Sequence, residues 1–225
     1  MAPFERRLVM KDAPRLPRRK ALAVLFAAGT AGLLAAASLA QPQGASAAAE
    51  PPIRCPSATL TNINSQLQEG FRLALSQACA IMESQPFRRT IEASRLARKC
   101  PPLFSKHKRI AGTEIYRRLA SGMPASFTVT AEDLSGSTVA VTNAYDRSMS
   151  IELWKLTAFA GGDASDRAGT VNTLVHEMTH LVPDADGGSY FQDGWQWAPW
   201  CDSEKLVSYN LGNAAERQWT RAQPN

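Results

Sequence analysis

The stretch TLVHEMTHLVPDAD, Thr173 to Asp186, holds two of the chain's three histidines, four residues apart, with a glutamate directly after the first. On a helix, positions four apart lie one turn above the other on the same face. His176 and His180 can therefore aim both imidazoles at one ion, at Zn–N distances of about 2.1 Å. Glu177 is offset from that line, so it can reach a water beside the metal without ligating, as a general base must. The flanking residues Thr173, Leu174, Val175, Met178, Thr179, Leu181 and Val182 are uncharged, as befits a helix buried through a domain centre. The pattern predicts one Zn2+ per chain on an HExxH active-site helix.

A catalytic zinc normally takes three protein ligands. The third histidine, His107, lies in SKHKR, where neighbouring cations disfavour a dication and suit a solvated surface side chain. A carboxylate beyond His180 must then serve. Asp186 is the choice, because PDADGG supplies the proline and glycines that turn a chain back. Asp184 and Asp193 on the same loop are alternatives, as are Glu204 and Glu216 on following helices. Glu204 as ligand would make the site thermolysin-like.

Outward from the motif, the first 47 residues read as an export signal. Seven basic residues between Arg6 and Lys20 precede the apolar run ALAVLFAAGTAGLLAAASLA and the small-residue stretch GASAAAE. This suits cleavage after Ala47, by a general secretory or twin-arginine route, rather than a lasting membrane anchor. The whole chain carries 25 Lys+Arg and 20 Asp+Glu, and the leader holds 7 of the former and 2 of the latter, which leaves 18 of each. The basic balance thus belongs to the leader, and nucleic-acid binding loses its support. Residues 48–225 suffice for one domain with its own core. The expected product is extracellular, monomeric and, once the signal is cleaved, free of stable membrane association.

Four cysteines in an exported chain imply two disulfides. Cys79–Cys100, joining adjacent helices, and Cys55–Cys201, tying the chain's ends, are the expected pairs. Apolar residues at steps of three and four predict a long helix from Ser57 to about Met82. A second helix starts at Pro86 and ends at Cys100-Pro101-Pro102, and a third spans Thr113 to Ala120. SFTVT and STVAVT, joined by AEDLSG, predict a hairpin, and SIELWKL a third strand. Asp163 or Ser165 is expected to cap the motif helix. The fold class is α+β: a mostly helical, zincin-like domain with a small antiparallel sheet. Trp195, Trp197 and Trp200, crowded into DGWQWAPW, are expected to cap a core.

The early cysteine before a long helix, TLVHEMTHLV, an Asp–Tyr loop and the late GNAAERQW together resemble the aspzincins, the deuterolysin and peptidyl-lysine metalloendopeptidase group. The family's loop reads Gly-Thr-x-Asp-x-x-Tyr-Gly, whereas DADGGSYF lacks the Gly-Thr and places Tyr190 four residues after Asp186. The resemblance implies a secreted zinc endopeptidase acting on protein or peptide. His176, His180 and Asp186 would ligate zinc, Glu177 would be base and acid, and Tyr190 would donate to the oxyanion. SIELW would be the edge strand that pairs with extended substrate. An Asp six residues past the second histidine is also similar to snapalysin-type enzymes, which have glycine where Pro183 stands. The rival reading is a secreted binding or structural protein descended from a degenerate peptidase.

Overall fold

Strand β1 (Ser57–Thr61) opens the fold where helical periodicity predicted the start of a long helix. Asn62 adopts a left-handed backbone (φ 56°), which ends the strand without starting a helix. The Asn64 side chain then accepts a hydrogen bond from the Leu67 N–H at 3.0 Å. It caps α1 (Ser65–Met82), so two asparagines divide what the apolar spacing ran together. The computed structural model of the chain describes residues 50–103, 105–134, 138–193 and 201–223. These belong to one compact unit, Ala47–Asn225. The export signal, the Ser135-Gly136 turn and the three clustered tryptophans lie outside the described residues.

Ser84 caps α2 (Gln85–Glu92), with Pro86 in its first turn. This helix ends well before Cys100, because Leu96 belongs to β2 (Arg95–Ala97), paired antiparallel with β3 (Arg109–Ala111). Helix α3 (Gly112–Gly122) follows without a side-chain cap. Its first residue packs so tightly that a Cβ on Gly112 would sit 1.8 Å from the Ile91 carbonyl oxygen.

The main sheet comprises β1, β4 (Ser126–Glu132), β5 (Ala140–Asn143) and β6 (Ser148–Glu152), in the order β1-β4-β6-β5. It is mixed, not antiparallel as expected: β4 runs parallel to both β1 and β6, and only β5–β6 is antiparallel. The hairpin is therefore β5–β6, not β4–β5. Burial explains the exchange: β4 sinks Phe127 and Val129 into the core and needs a neighbour on each side, while β5 keeps Val141 half exposed and takes the edge. SIELWKL is strand only to Glu152; there the apolar spacing changes from two to three, and α4 (Leu153–Gly161) buries Leu156 and Phe159. Since β6 lies between β4 and β5, the open edge nearest the motif helix is β5 rather than SIELW.

Helix α5 (Ala164–His180) carries the motif. The Asp163 carboxylate accepts from the Ser165 and Asp166 N–H groups at 2.8 and 3.0 Å, capping it as one of the two expected residues. Val171, Leu174, Val175 and Met178 are fully buried, and α5 packs against α1, α4, β5 and the last helix, α6 (Val207–Ala222). The fold is thus α+β around a central helix, and among the described residues no helix is long and apolar enough to cross a membrane.

The cysteines pair as Cys55–Cys79 and Cys100–Cys201, not as the sequence suggested. Cys55 precedes β1, which runs back along the sheet and brings its Cα 5.4 Å from that of Cys79 in α1. Cys100 lies beyond β2, whose Ala97 bridges to Leu206, so the chain's late segment passes close by. Two disulfides and no free cysteine suit an oxidising compartment.

Candidate metal centre

After α5 the chain makes a closed turn. Asp184 N–H bonds to Gly188 O at 2.7 Å, and Tyr190 N–H returns to Val182 O at 2.7 Å. Gly187 sits at φ 84°, a conformation that suits glycine. The Asp184 carboxylate accepts from the Asp186 N–H, and Asp186 stands exposed at the turn's tip. The chain does turn back toward the imidazoles, as the proline and glycines suggested. The turn delivers residues beyond it: Phe191 O meets His180 Nδ1 at 2.7 Å, and Asp193 arrives at the two imidazoles.

His176, His180 and Asp193 form the group able to hold a metal ion. Asp193 Oδ2 lies 2.9 Å from His176 Nε2 and 3.1 Å from His180 Nε2, and the two nitrogens are 3.3 Å apart. Asp193, rather than Asp186, lies with the two imidazoles, in the place the spacing had given to Asp186. Asp184 serves its own turn, Glu204 is exposed on a short 3-10 helix (Ser203–Lys205), and Glu216 on α6 accepts from Asn172 Nδ2 at 2.6 Å. His107 is also absent from the group, but it is not the solvated histidine expected. Its ring nitrogens are enclosed, with no hydrogen-bond partner among the described residues.

The electrostatics of the group are those of competing donors. Burial opposes a charged His180, yet the Asp193 carboxylate outweighs it, with Glu177 and Phe191 O assisting, and lifts the imidazolium pKa to about 9. Burial would likewise raise Asp193, but His176 and His180 hold it well below the usual carboxylate range. Among the described residues Asp193 Oδ1 is buried without a hydrogen-bond partner, which leaves that oxygen with acceptor capacity toward them unused.

Glu177 is buried, lines the same cavity, and lies 3.9 Å from His176 Nε2 without joining the donor group. Across from it stands Tyr209 of α6, whose ring packs edge-on against His176 with centroids 4.5 Å apart. Burial, with Asp193 and Glu177 nearby, raises the Tyr209 pKa and keeps the phenol protonated. Tyr190 is elsewhere: its ring lies under the guanidiniums of Arg98 and Arg118, at 4.4 and 4.6 Å, and it lines a different cavity beside Lys99 and Lys106. Tyr209 was missed by the sequence reading. Its one signal was that Tyr209, Asn213 and Glu216 share a helix face, opposite the apolar Leu211 and Ala215.

The cavity, about 630 Å³, runs from His176 and Asp193 along α5, between residues 138–140 leading into β5 and the Tyr209 face of α6. No family model, no curated protein and no solved structure matches the chain.

Proposed function

We propose that the protein is a secreted zinc metalloendopeptidase of aspzincin type, with His176, His180 and Asp193 holding one Zn2+. The donor set fits: two neutral imidazoles and one anionic oxygen from a single chain, with room for substrate, suit a catalytic zinc better than a closed structural one. All three donors come from one chain, so no second copy is needed. The disulfides and the signal-like leader support export.

The observation that carries the reading is Glu177, a buried carboxylate beside the donor group and not part of it. When bound, zinc supplies Lewis acidity that polarises a carbonyl and makes water easier to deprotonate. Glu177 then holds the proton taken from water and passes it to the leaving amine. Tyr209, protonated and beside His176, offers a hydrogen bond to the developing oxyanion, the role the resemblance gave to Tyr190. The free edge of β5, rather than β6, is the template for an extended peptide, since residues 138–140 line the cavity. A secreted binding protein on a degenerate peptidase frame has no use for Glu177 in this position.

The test pairs metal content with hydrolysis. The purified protein should contain one zinc by elemental analysis and cleave casein, and a chelator should stop it. Glu177→Gln should keep its zinc and lose on the order of 10²–10⁴ in kcat. Zinc loss in that variant, or casein cleavage by the metal-free protein, would sink the proposal.

A further inference from the structure

The cavity extends well past the metal group. It follows α5 toward its N-terminus over Thr173, Asn172 and Gly169. Gly169 precedes His176 by seven residues, which places it about 10 Å away along the helix axis. Lys155 of α4 stands at that end, its Nζ so close over the helix that a Cβ on Gly169 would lie 3.5 Å from it.

Three features set Lys155 apart from a solvated surface lysine. It is the single lysine or arginine among the described residues lining this cavity, whose other charged members, Glu177 and Asp193, cluster at the metal end. Among the described residues it forms no ion pair, and its ammonium rests against the Trp154 ring at 4.8 Å. Of the two carboxylates whose charge reaches it, Glu216 accepts from Asn172, and Asp166 is solvent-exposed in the first turn of α5. Burial lowers the lysine's pKa, with Asp166 and Glu216 pulling the other way, so the ammonium is partly desolvated. A partly desolvated cation gains more from an anionic partner than one in open water.

We infer that Lys155 determines specificity by taking a carboxylate of the substrate, from either an acidic side chain or the free C-terminus of a peptide. This rests on the peptidase reading above. An extended peptide rises about 3.3 Å per residue, so 10 Å spans roughly three residues. The carboxylate therefore lies about three residues from the bond that is cut, and the neutral Thr173, Asn172 and Asn213 line the path between.

The experiment uses the zinc-loaded mature protein and matched internally quenched peptides. These carry Asp, Gln or Lys at each position flanking a common cleavage site, with free-acid and amidated ends. Asp at one position, or the free-acid end, should raise kcat/KM on the order of tenfold over its neutral counterpart. Asp dependence with an amidated end identifies the side-chain source; dependence on the free end alone identifies the terminal carboxylate. Lys155→Glu should reverse the ranking in favour of Lys. Equal cleavage of the Asp, Gln and Lys peptides by the wild-type enzyme, at both ends, overturns the inference and leaves the peptidase reading intact. An unchanged Asp preference in Lys155→Glu overturns it too. No cleavage of any peptide overturns the peptidase reading and this inference with it.

Discussion

His180 donates its Nδ1 proton to the Phe191 carbonyl oxygen across 2.7 Å, leaving Nε2 turned toward Asp193 at 3.1 Å. A carbonyl can only accept, so this bond keeps a proton on Nδ1, and the proton lost when the imidazole becomes neutral is the one on Nε2, facing Asp193. The residue that selects the tautomer is thus two positions from the residue that completes the donor set. One short segment, Phe191 to Asp193, both orients and completes the site.

Asp193→Ala should therefore weaken zinc binding by orders of magnitude, because two imidazoles alone leave the ion short of ligands. Asp186→Ala removes an exposed side chain at a turn tip and should leave zinc affinity within about twofold. Competition with a chromophoric chelator measures both. Equal losses in the two variants would reject the assignment of Asp193.

His176, Glu177 and His180 were legible in the sequence, whereas Asp193 ranked only among the alternatives to Asp186, and the difference is one of range. The first three share one helix, where a fixed period of 3.6 residues dictates geometry. The third ligand depends on a turn whose closure rests on the Tyr190–Val182 hydrogen bond and on Gly187 at positive φ. No local rule counts how many residues such a turn consumes. The same holds in the sheet: the strands β4, β5 and β6 were legible from β-branched runs, but their parallel pairing and the β5–β6 hairpin are tertiary choices. The disulfides followed suit, since β1 was read as helix and Cys55 was therefore placed wrongly against α1.

The charge coupling gives the metal-free protein a defined pH profile. His180 rises from 6.5 unfolded to about 9 folded, so its stabilisation is full below pH 6.5 and is lost as pH climbs through 9. Asp193 moves down from 3.8, so its share is present above that pH and is lost as pH falls further. Metal-free stability from this pair should peak between those values and decline toward pH 9. Zinc must displace the His180 proton, so the rise in Tm on adding zinc should grow with pH across 6.5–9, and binding should release protons to the buffer. Calorimetric titration in two buffers of different ionisation enthalpy checks this. A zinc-induced shift in Tm that shrinks over that window would contradict the coupling.

The two disulfides should separate stability from metal binding. The Cys100 sulfur lies 2.9 Å from the Asp193 carbonyl oxygen and the Cys201 sulfur 3.7 Å, so this bridge buttresses the ligand's own backbone. Among the described residues, neither Cys55 nor Cys79 lines the cavity or belongs to the donor group. Removing either should cost about 2–5 kcal/mol in denaturant unfolding. Only Cys100→Ser/Cys201→Ser should also weaken zinc, by about 10-fold or more, the range seen when support of a ligand is lost. A Cys55→Ser/Cys79→Ser variant that loses zinc equally would show the effect to be general loosening.

The remaining choice is between the two tyrosines. Tyr190 lies under the guanidiniums of Arg98 and Arg118 and lines a different cavity from the one that holds Glu177. Tyr209 stacks edge-on against His176 and faces that cavity, with a hydroxyl that stays protonated because burial and two carboxylates oppose its ionisation. A donor used only when the carbonyl oxygen gains charge should show in kcat and not in zinc affinity. Tyr209→Phe keeps the ring against His176 and removes only the hydroxyl, so zinc content should be unchanged while kcat falls by about 10²-fold or more. Tyr190→Phe keeps the ring under both guanidiniums and should leave kcat within about twofold. Steady-state kinetics on one quenched peptide, with zinc measured on the same samples, decides between them. A kcat loss confined to Tyr190→Phe would return the oxyanion role to the residue the resemblance first suggested.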